Sequence, residues 1–179
     1  MSVNNVGWEP KKPVNGPPVI LPPHWKCGLR LRGGAEGFIS VEANADRKNR
    51  KYAHGPDGPF KNAGHMFEAL ERQIELPWGG ATSLVTIYSN AHTGLRANNE
   101  DLSYVVKGRT HDGRWWVTGM FPIAHPKLPK GHDDPHAQSN DDQRDYEKDG
   151  ARISRFSPDS FIPPMSVYDN IVGSLTFPK

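Results

Sequence analysis

Four side chains able to move protons or stabilise charge cluster in the second half of the chain: Glu100, Arg109, His111 and His125. A carboxylate or imidazole base, an imidazole acid and a guanidinium are what metal-independent phosphodiester cleavage requires. Their spacing matches no catalytic motif. They are brought together here only because they fall on or between adjacent predicted strands.

A second set is richer. Lys107, Arg109, His111, Arg114 and Trp116 lie within ten residues. Asp112-Gly113 between two apolar runs predicts a type I′ hairpin. A two-residue loop then sets position i opposite 225 minus i. One face carries Tyr104/Phe121, Val106/Gly119, Gly108/Val117 and Thr110/Trp115 and should be buried. The other carries Val105/Met120, Lys107/Thr118, Arg109/Trp116 and His111/Arg114. Cations beside a Trp can hold an anionic or aromatic ligand, the guanidinium supplying charge and the indole a stacking plane. The plainer alternative is a solvated face with Arg109 lying on Trp116 as an ordinary cross-strand pair. Arg47, Lys48, Arg50 and Lys51, next to Tyr52, form a further basic run suited to an acidic partner or simply to water.

Weaker constellations follow. His132-Asp133-Asp134-Pro135-His136 has metal-ligand chemistry, but a pair at i and i+4 needs a helix, and Pro135 opposes one. The expectation is therefore no metal, with His132 and His136 as the alternative, and no cofactor. His65 and Glu68 could form an acid/base pair. Cys27, the only cysteine, has no marked activating neighbour and excludes an intramolecular disulfide. Walker A, G-x-G-x-x-G, G-x-S-x-G and C-x-x-C patterns are absent.

These residues need a scaffold. Six of the 17 prolines fall in residues 1–24, which predicts an extended Pro-rich arm ahead of one globular domain over 25–179. Residues 27–43 read as a hairpin turning at Gly33–Gly37. Met66, Phe67, Leu70 and Ile74 recur at helical spacing and predict the principal packed helix at about 62–76. Leu84–Tyr88, Leu102–Thr110 and Arg114–Ile123 read as strands. Residues 126–150 read as a long polar loop, and Arg152–Phe156 and Val167–Phe177 as closing strands. The fold class is α+β, β-rich, with a mainly antiparallel sheet. In outline it resembles the small microbial ribonucleases, which implies the alternative function of a metal-independent ribonuclease. His111 or His125 would then act as acid or base and Arg109 would stabilise the phosphorane, with Glu100 completing the set.

Composition narrows the field. Gly and Pro supply 35 of 179 residues, too many for a coiled coil, while five Trp, five Tyr and seven Phe argue against full disorder. A formal charge of +2 is too balanced to imply nucleic-acid binding alone, although residues 1–61 hold ten basic against five acidic side chains and residues 131–149 seven acidic against two basic. No apolar stretch is long enough to span a membrane, and the N-terminus lacks an apolar signal core. A soluble cytoplasmic protein is expected. Its function is read as non-catalytic binding of an acidic protein surface or nucleic acid, as an immunity-type or accessory protein would do. An exposed Trp116 would equally suit a homodimer.

Overall fold

The structure, a computed structural model, describes residues 3–5, 24–30, 36–43, 64–89, 95–139 and 142–177. The segment 6–23 of the Pro-rich arm and the basic run Arg47, Lys48, Arg50 and Lys51 lie outside the described residues. The strands are β1 (Val3–Asn5), β2 (His24–Arg30), β3 (Glu36–Ala43), β4 (Gly64–His65), β5 (Ala69–Leu76), β6 (Gly79–Thr86), β7 (Tyr88–Ser89), β8 (Ser103–Thr110) and β9 (Trp115–Pro122). Seven of them form one antiparallel sheet in the order β1-β2-β3-β9-β8-β6-β5, and β4 pairs with β7 separately. Two helices follow, α1 (Asp142–Ile153) and α2 (Met165–Gly173). The fold is thus β-rich α+β, and β2–β3 is the expected hairpin.

The centre of the sheet is the β8–β9 hairpin, and its register is the expected one. Tyr104 pairs with Phe121, Val106 with Gly119 and Arg109 with Trp116. The turn differs. Among its residues only Gly113 has positive φ (69°), and the Gly113 N–H donates to the Thr110 carbonyl at 2.8 Å. Type I′ would need positive φ at Asp112 as well. Asp112 instead accepts from Thr110 Oγ1 (2.6 Å) and the Arg114 N–H (2.9 Å), closing the loop with its side chain.

The helix predicted at 62–76 is not formed over the described residues 64–76; Ala69–Leu76 is β5, the edge strand beside β6. A β-bulge explains the misleading spacing. Ala69 pairs with Val85 and Arg72 with Ser83, so Leu70 and Glu71 together oppose Leu84. Leu70 takes up the extra residue with φ of 53°, a left-handed conformation costing a non-glycine residue roughly 1–2 kcal/mol. Beyond the bulge Arg72, Ile74 and Leu76 alternate with exposed Gln73 and Glu75, the period of a strand. One inserted residue turned that period into steps of three and four.

Three other expectations are corrected. The 126–150 segment is not a loop throughout: Pro135–Ala137 is a 3-10 turn and residues from Asp142 onward are helical. The predicted strand at Arg152–Phe156 begins as the end of α1. The predicted strand at Val167–Phe177 is mostly α2. On α1 the buried positions are Tyr146, Asp149, Gly150 and Ile153, a helical stripe with only two large apolar members. Asp149 can sit there because Arg96 Nη2 (2.7 Å) and the Ala97 N–H (3.1 Å) satisfy its carboxylate. On α2 the buried stripe is Met165, Tyr168 and Val172, hidden among β-branched residues that favour strands.

Both helices contribute to one cluster with one face of the sheet. Leu29, Ile39, Val41, Val117, Phe121, Tyr104, Val106 and Val85 meet Tyr146, Ile153, Tyr168 and Val172 there. Tyr168 stacks on Phe121 with centroids 4.4 Å apart and donates to the Pro122 carbonyl at 2.6 Å. Gly119 makes this approach feasible, since a Cβ there would lie 2.7 Å from the Phe121 ring. The bulge aims Arg72 into the same face. Arg72 Nη2 donates to Tyr104 Oη (2.9 Å) and Asp169 Oδ2 (3.1 Å), and Tyr104 Oη donates to Asp169 Oδ1, joining edge strand, central strand and α2.

Candidate functional site on the second sheet face

Residues paired across antiparallel strands point to the same side. The register therefore lays out the face opposite the helices in rows. One row runs Glu42 (β3), Trp116 (β9), Arg109 (β8), Gly80 (β6), Glu75 (β5). The next runs Ser40, Thr118, Lys107, Thr82, Gln73, and a third Phe38, Met120, Val105, Leu84. Leu84 and Val105 are buried but stand outside the helix-side cluster.

The arginine and tryptophan meet as the register requires. The Arg109 guanidinium carbon is 5.7 Å from the Trp116 ring centroid. Arg109 is exposed and Trp116 half-buried. Gly80, beside Arg109, has no side chain, and a Cβ there would find only Glu75 Oε1 within 4 Å, at 3.8 Å. Among the described residues Arg109 therefore has no side chain directly beside it on β6. On the other side of Trp116, Glu42 accepts from Ser40 Oγ at 3.2 Å. A cation and a carboxylate thus flank the indole, one strand away on either side. His111 and Arg114 sit in the turn at the end of this face, and Arg114 Nε is held by Asp112 at 2.8 Å. Glu42 is the residue the sequence reading missed. Its place follows from the pairing of β3 with β9, a contact between elements far apart in the chain.

The Glu100, Arg109, His111 and His125 set is not brought together. Arg109 and His111 lie at the turn end of β8, while Glu100 precedes its start and His125 follows the end of β9. Six strand steps separate Arg109 from Ser103, roughly 20 Å. His125 is 4% exposed, which leaves little access for a substrate. Its ring stacks on Phe156 at 3.8 Å. Nδ1 accepts the Lys127 N–H at 3.2 Å, and Nε2 lies 3.0 Å from Ser160 Oγ, which itself donates to the Ser157 carbonyl. Burial, with the charges of Lys127 and Arg152, holds His125 below the ordinary imidazole value. It is a neutral, packed imidazole with both nitrogens engaged.

His132 is the opposite case. It is exposed, and Nε2 lies 2.7 Å from Asp101 Oδ2. The hydrogen bond to Asp101, with the charges of Asp101, Glu100 and Asp133, raises its pKa. Asp101 is steadied by Asn98 Nδ2 at 2.9 Å. The pair borders a shallow cleft of about 410 Å³ lined by Glu100, Lys130, Gly131, His132, Asp133 and Asp134. His136 sits in the 3-10 turn, where Asp134 accepts its backbone N–H at 2.9 Å. Among the described residues no group of three or more His, Cys, Asp or Glu side chains is arranged to hold a metal. His65 and Glu68 do pair, at 3.1 Å, in the link from β4 to β5 rather than on a helix.

Compared with protein families, curated proteins and solved structures, this chain finds no match. Among the described residues no helix is long and apolar enough to cross a membrane.

Proposed function

We propose that this protein is a non-catalytic binding protein that holds an acidic protein surface at the turn end of the sheet face opposite α1 and α2, through Arg109, Trp116 and Lys107. The observation that carries this reading is Arg109 resting on a half-exposed Trp116 in the expected register, with no side chain beside it at Gly80. Arg and Trp are the side chains that most often anchor interfaces. Glu42 and Glu75 in the same row give the face patterned charge, which fits a protein surface better than a run of phosphates. The dispersal of Glu100, Arg109, His111 and His125, and the packed state of His125, support binding over cleavage.

The test is a titration of two fluorescent probes, a poly-glutamate peptide and a single-stranded RNA, at low and high salt. The expected result is salt-sensitive binding of the peptide, lost in Arg109→Ala. RNA bound more tightly, with a steep salt slope, would move the partner to nucleic acid. RNA recovered as fragments would overturn the non-catalytic reading.

A further inference from the structure

We propose that Lys127 and Arg152 form a separate binding site, for a phosphate group, at the end of the sheet opposite the β8–β9 turn. Both residues are fixed by local bonding. The chain turns tightly after β9, where the Leu128 N–H donates to the His125 carbonyl at 3.0 Å and the Lys127 N–H to His125 Nδ1 at 3.2 Å. Arg152, in the last turn of α1, reaches across and donates from Nη2 to the Lys127 carbonyl at 2.8 Å. The N–H and the carbonyl of Lys127 are therefore both held, and the guanidinium is tied to the same residue. The Lys127 ammonium lies 6.0 Å from the centre of the Phe156 ring, which stacks on His125 at 3.8 Å.

What these two cations lack is a counter-charge. Among the described residues neither belongs to an ion pair, whereas Arg72, Arg96 and Lys148 each have a carboxylate. The charges that act on buried His125 are those of Lys127 and Arg152, with no carboxylate among them. The end of α1 offsets little, since a helix C-terminus carries roughly half a negative charge against two full positive ones. Arg152 Nε is also buried without a hydrogen-bond partner, a state that is rare for a charged donor. Only Nη2 of the guanidinium is bonded to protein, so it has donors to spare. Lys127 is exposed and Arg152 half-buried, which leaves the pair open to an ion from solvent. Two positive charges tied to one turn match a doubly charged tetrahedral oxyanion. The guanidinium supplies a fork of N–H donors and the ammonium a point charge, and both are means by which proteins hold phosphate. A single carboxylate would leave one charge uncompensated.

An NMR titration with inorganic phosphate at about pH 7.5, with ionic strength held constant by sodium chloride, tests the site. Saturable shifts of the Lys127 amide and Arg152 Nε–H signals are expected. The dissociation constant should be weakened roughly tenfold in Lys127→Met, which keeps both backbone hydrogen bonds of residue 127. Lys148→Met removes a paired cation from the same helix and should leave the constant within about twofold. His125 gives a second readout on the wild-type chain, whatever the variants do. Because the two cations help to hold its pKa down, saturating sulfate, which stays doubly charged across the imidazole range, should return it toward 6.5. Chloride at the same ionic strength should not. Glycerol phosphate bound as tightly as inorganic phosphate would assign the group to a phosphate ester, and binding of inorganic phosphate alone would assign it to the free ion. Shifts that do not saturate, acetate bound equally well, a His125 pKa indifferent to sulfate, or a constant unchanged in Lys127→Met would overturn the proposal. None of these results bears on the Arg109 face, which is read by poly-glutamate binding.

Discussion

The two faces of the β8–β9 hairpin are built from the same sixteen strand residues and do opposite things. On one, Tyr104, Val106, Val117 and Phe121 are almost wholly buried under Tyr168 and Val172 of α2. On the other, Arg109 is exposed and Trp116 and Lys107 are half-buried at the turn end, while Thr118 and Val105 further along are buried. Alternation alone decides which side chain goes where, and a register slip of one residue would exchange the two roles. The lesson is that stability and recognition are separable here residue by residue. A change at position 104 or 121 should be felt as unfolding, and a change at 109 or 116 as altered binding.

The largest expected effect is on the helix-covered face. Tyr168→Ala removes the ring stacked on Phe121 and the hydrogen bond to Pro122, and should cost about 3–5 kcal/mol in urea unfolding. Gly108→Ala comes next. Its Cβ would lie 2.6 Å from Ala81 Cβ and 2.9 Å from the Gly80 carbonyl oxygen, and such overpacking costs about 1–3 kcal/mol. Asp169→Ala leaves Arg72 and Tyr104 without their shared acceptor and should cost a similar ~1–3 kcal/mol. An Asp169→Ala variant as stable as wild type would mean that the triad contributes nothing to holding α2.

Alkaline pH sharpens the same comparison. Burial pushes both Tyr104 and Tyr168 up to about 12, with the hydrogen bond to Asp169 adding to the effect on Tyr104. Their protons are held more tightly in the folded chain than in the unfolded one, where tyrosine titrates near 10. The stability they contribute is complete below about pH 10 and is lost as pH rises through about 12. Urea midpoints should therefore fall steeply over that window. Tyr168→Phe should lessen the fall.

The smallest effects belong to two histidines, one buried and one exposed. By NMR titration His125 should protonate below the ordinary imidazole value of 6.5 and His132 above it. The sign differs accordingly. The part of stability due to neutral His125 is present above about pH 6.5 and lost as pH falls, while the His132–Asp101 contribution is present below about pH 6.5 and lost as pH rises. Asp101→Asn should return His132 toward its ordinary value and, at an exposed pair, change stability by less than about 1 kcal/mol.

The sequence made the hairpin legible to the residue, because period-two alternation and Asp112-Gly113 agree. It misled at 66–76, where one inserted residue at Leu70 disguised β5 as an apolar helical stripe. The alternation of Arg72, Ile74 and Leu76 with Gln73 and Glu75 was the signal that could have corrected it. α1 was hidden because Asp149 and Gly150 occupy its buried side, one satisfied by Arg96 and the other fitting Phe67, whose Cβ would lie 3.0 Å from an added methyl group. The Arg109–Trp116 contact was readable from local register. Its neighbour Glu42 was not, since nothing local says that β3 lies beside β9.

The separation of the two faces is tested most directly by one double variant, Arg109→Ala/Trp116→Thr, which keeps a β-branched residue on the strand. Its urea unfolding and its binding of the labelled poly-glutamate peptide are measured on the same preparation. The account predicts a stability change within about 1 kcal/mol and loss of peptide binding. Retained binding, or a collapse in stability equal to that of Tyr168→Ala, would contradict it.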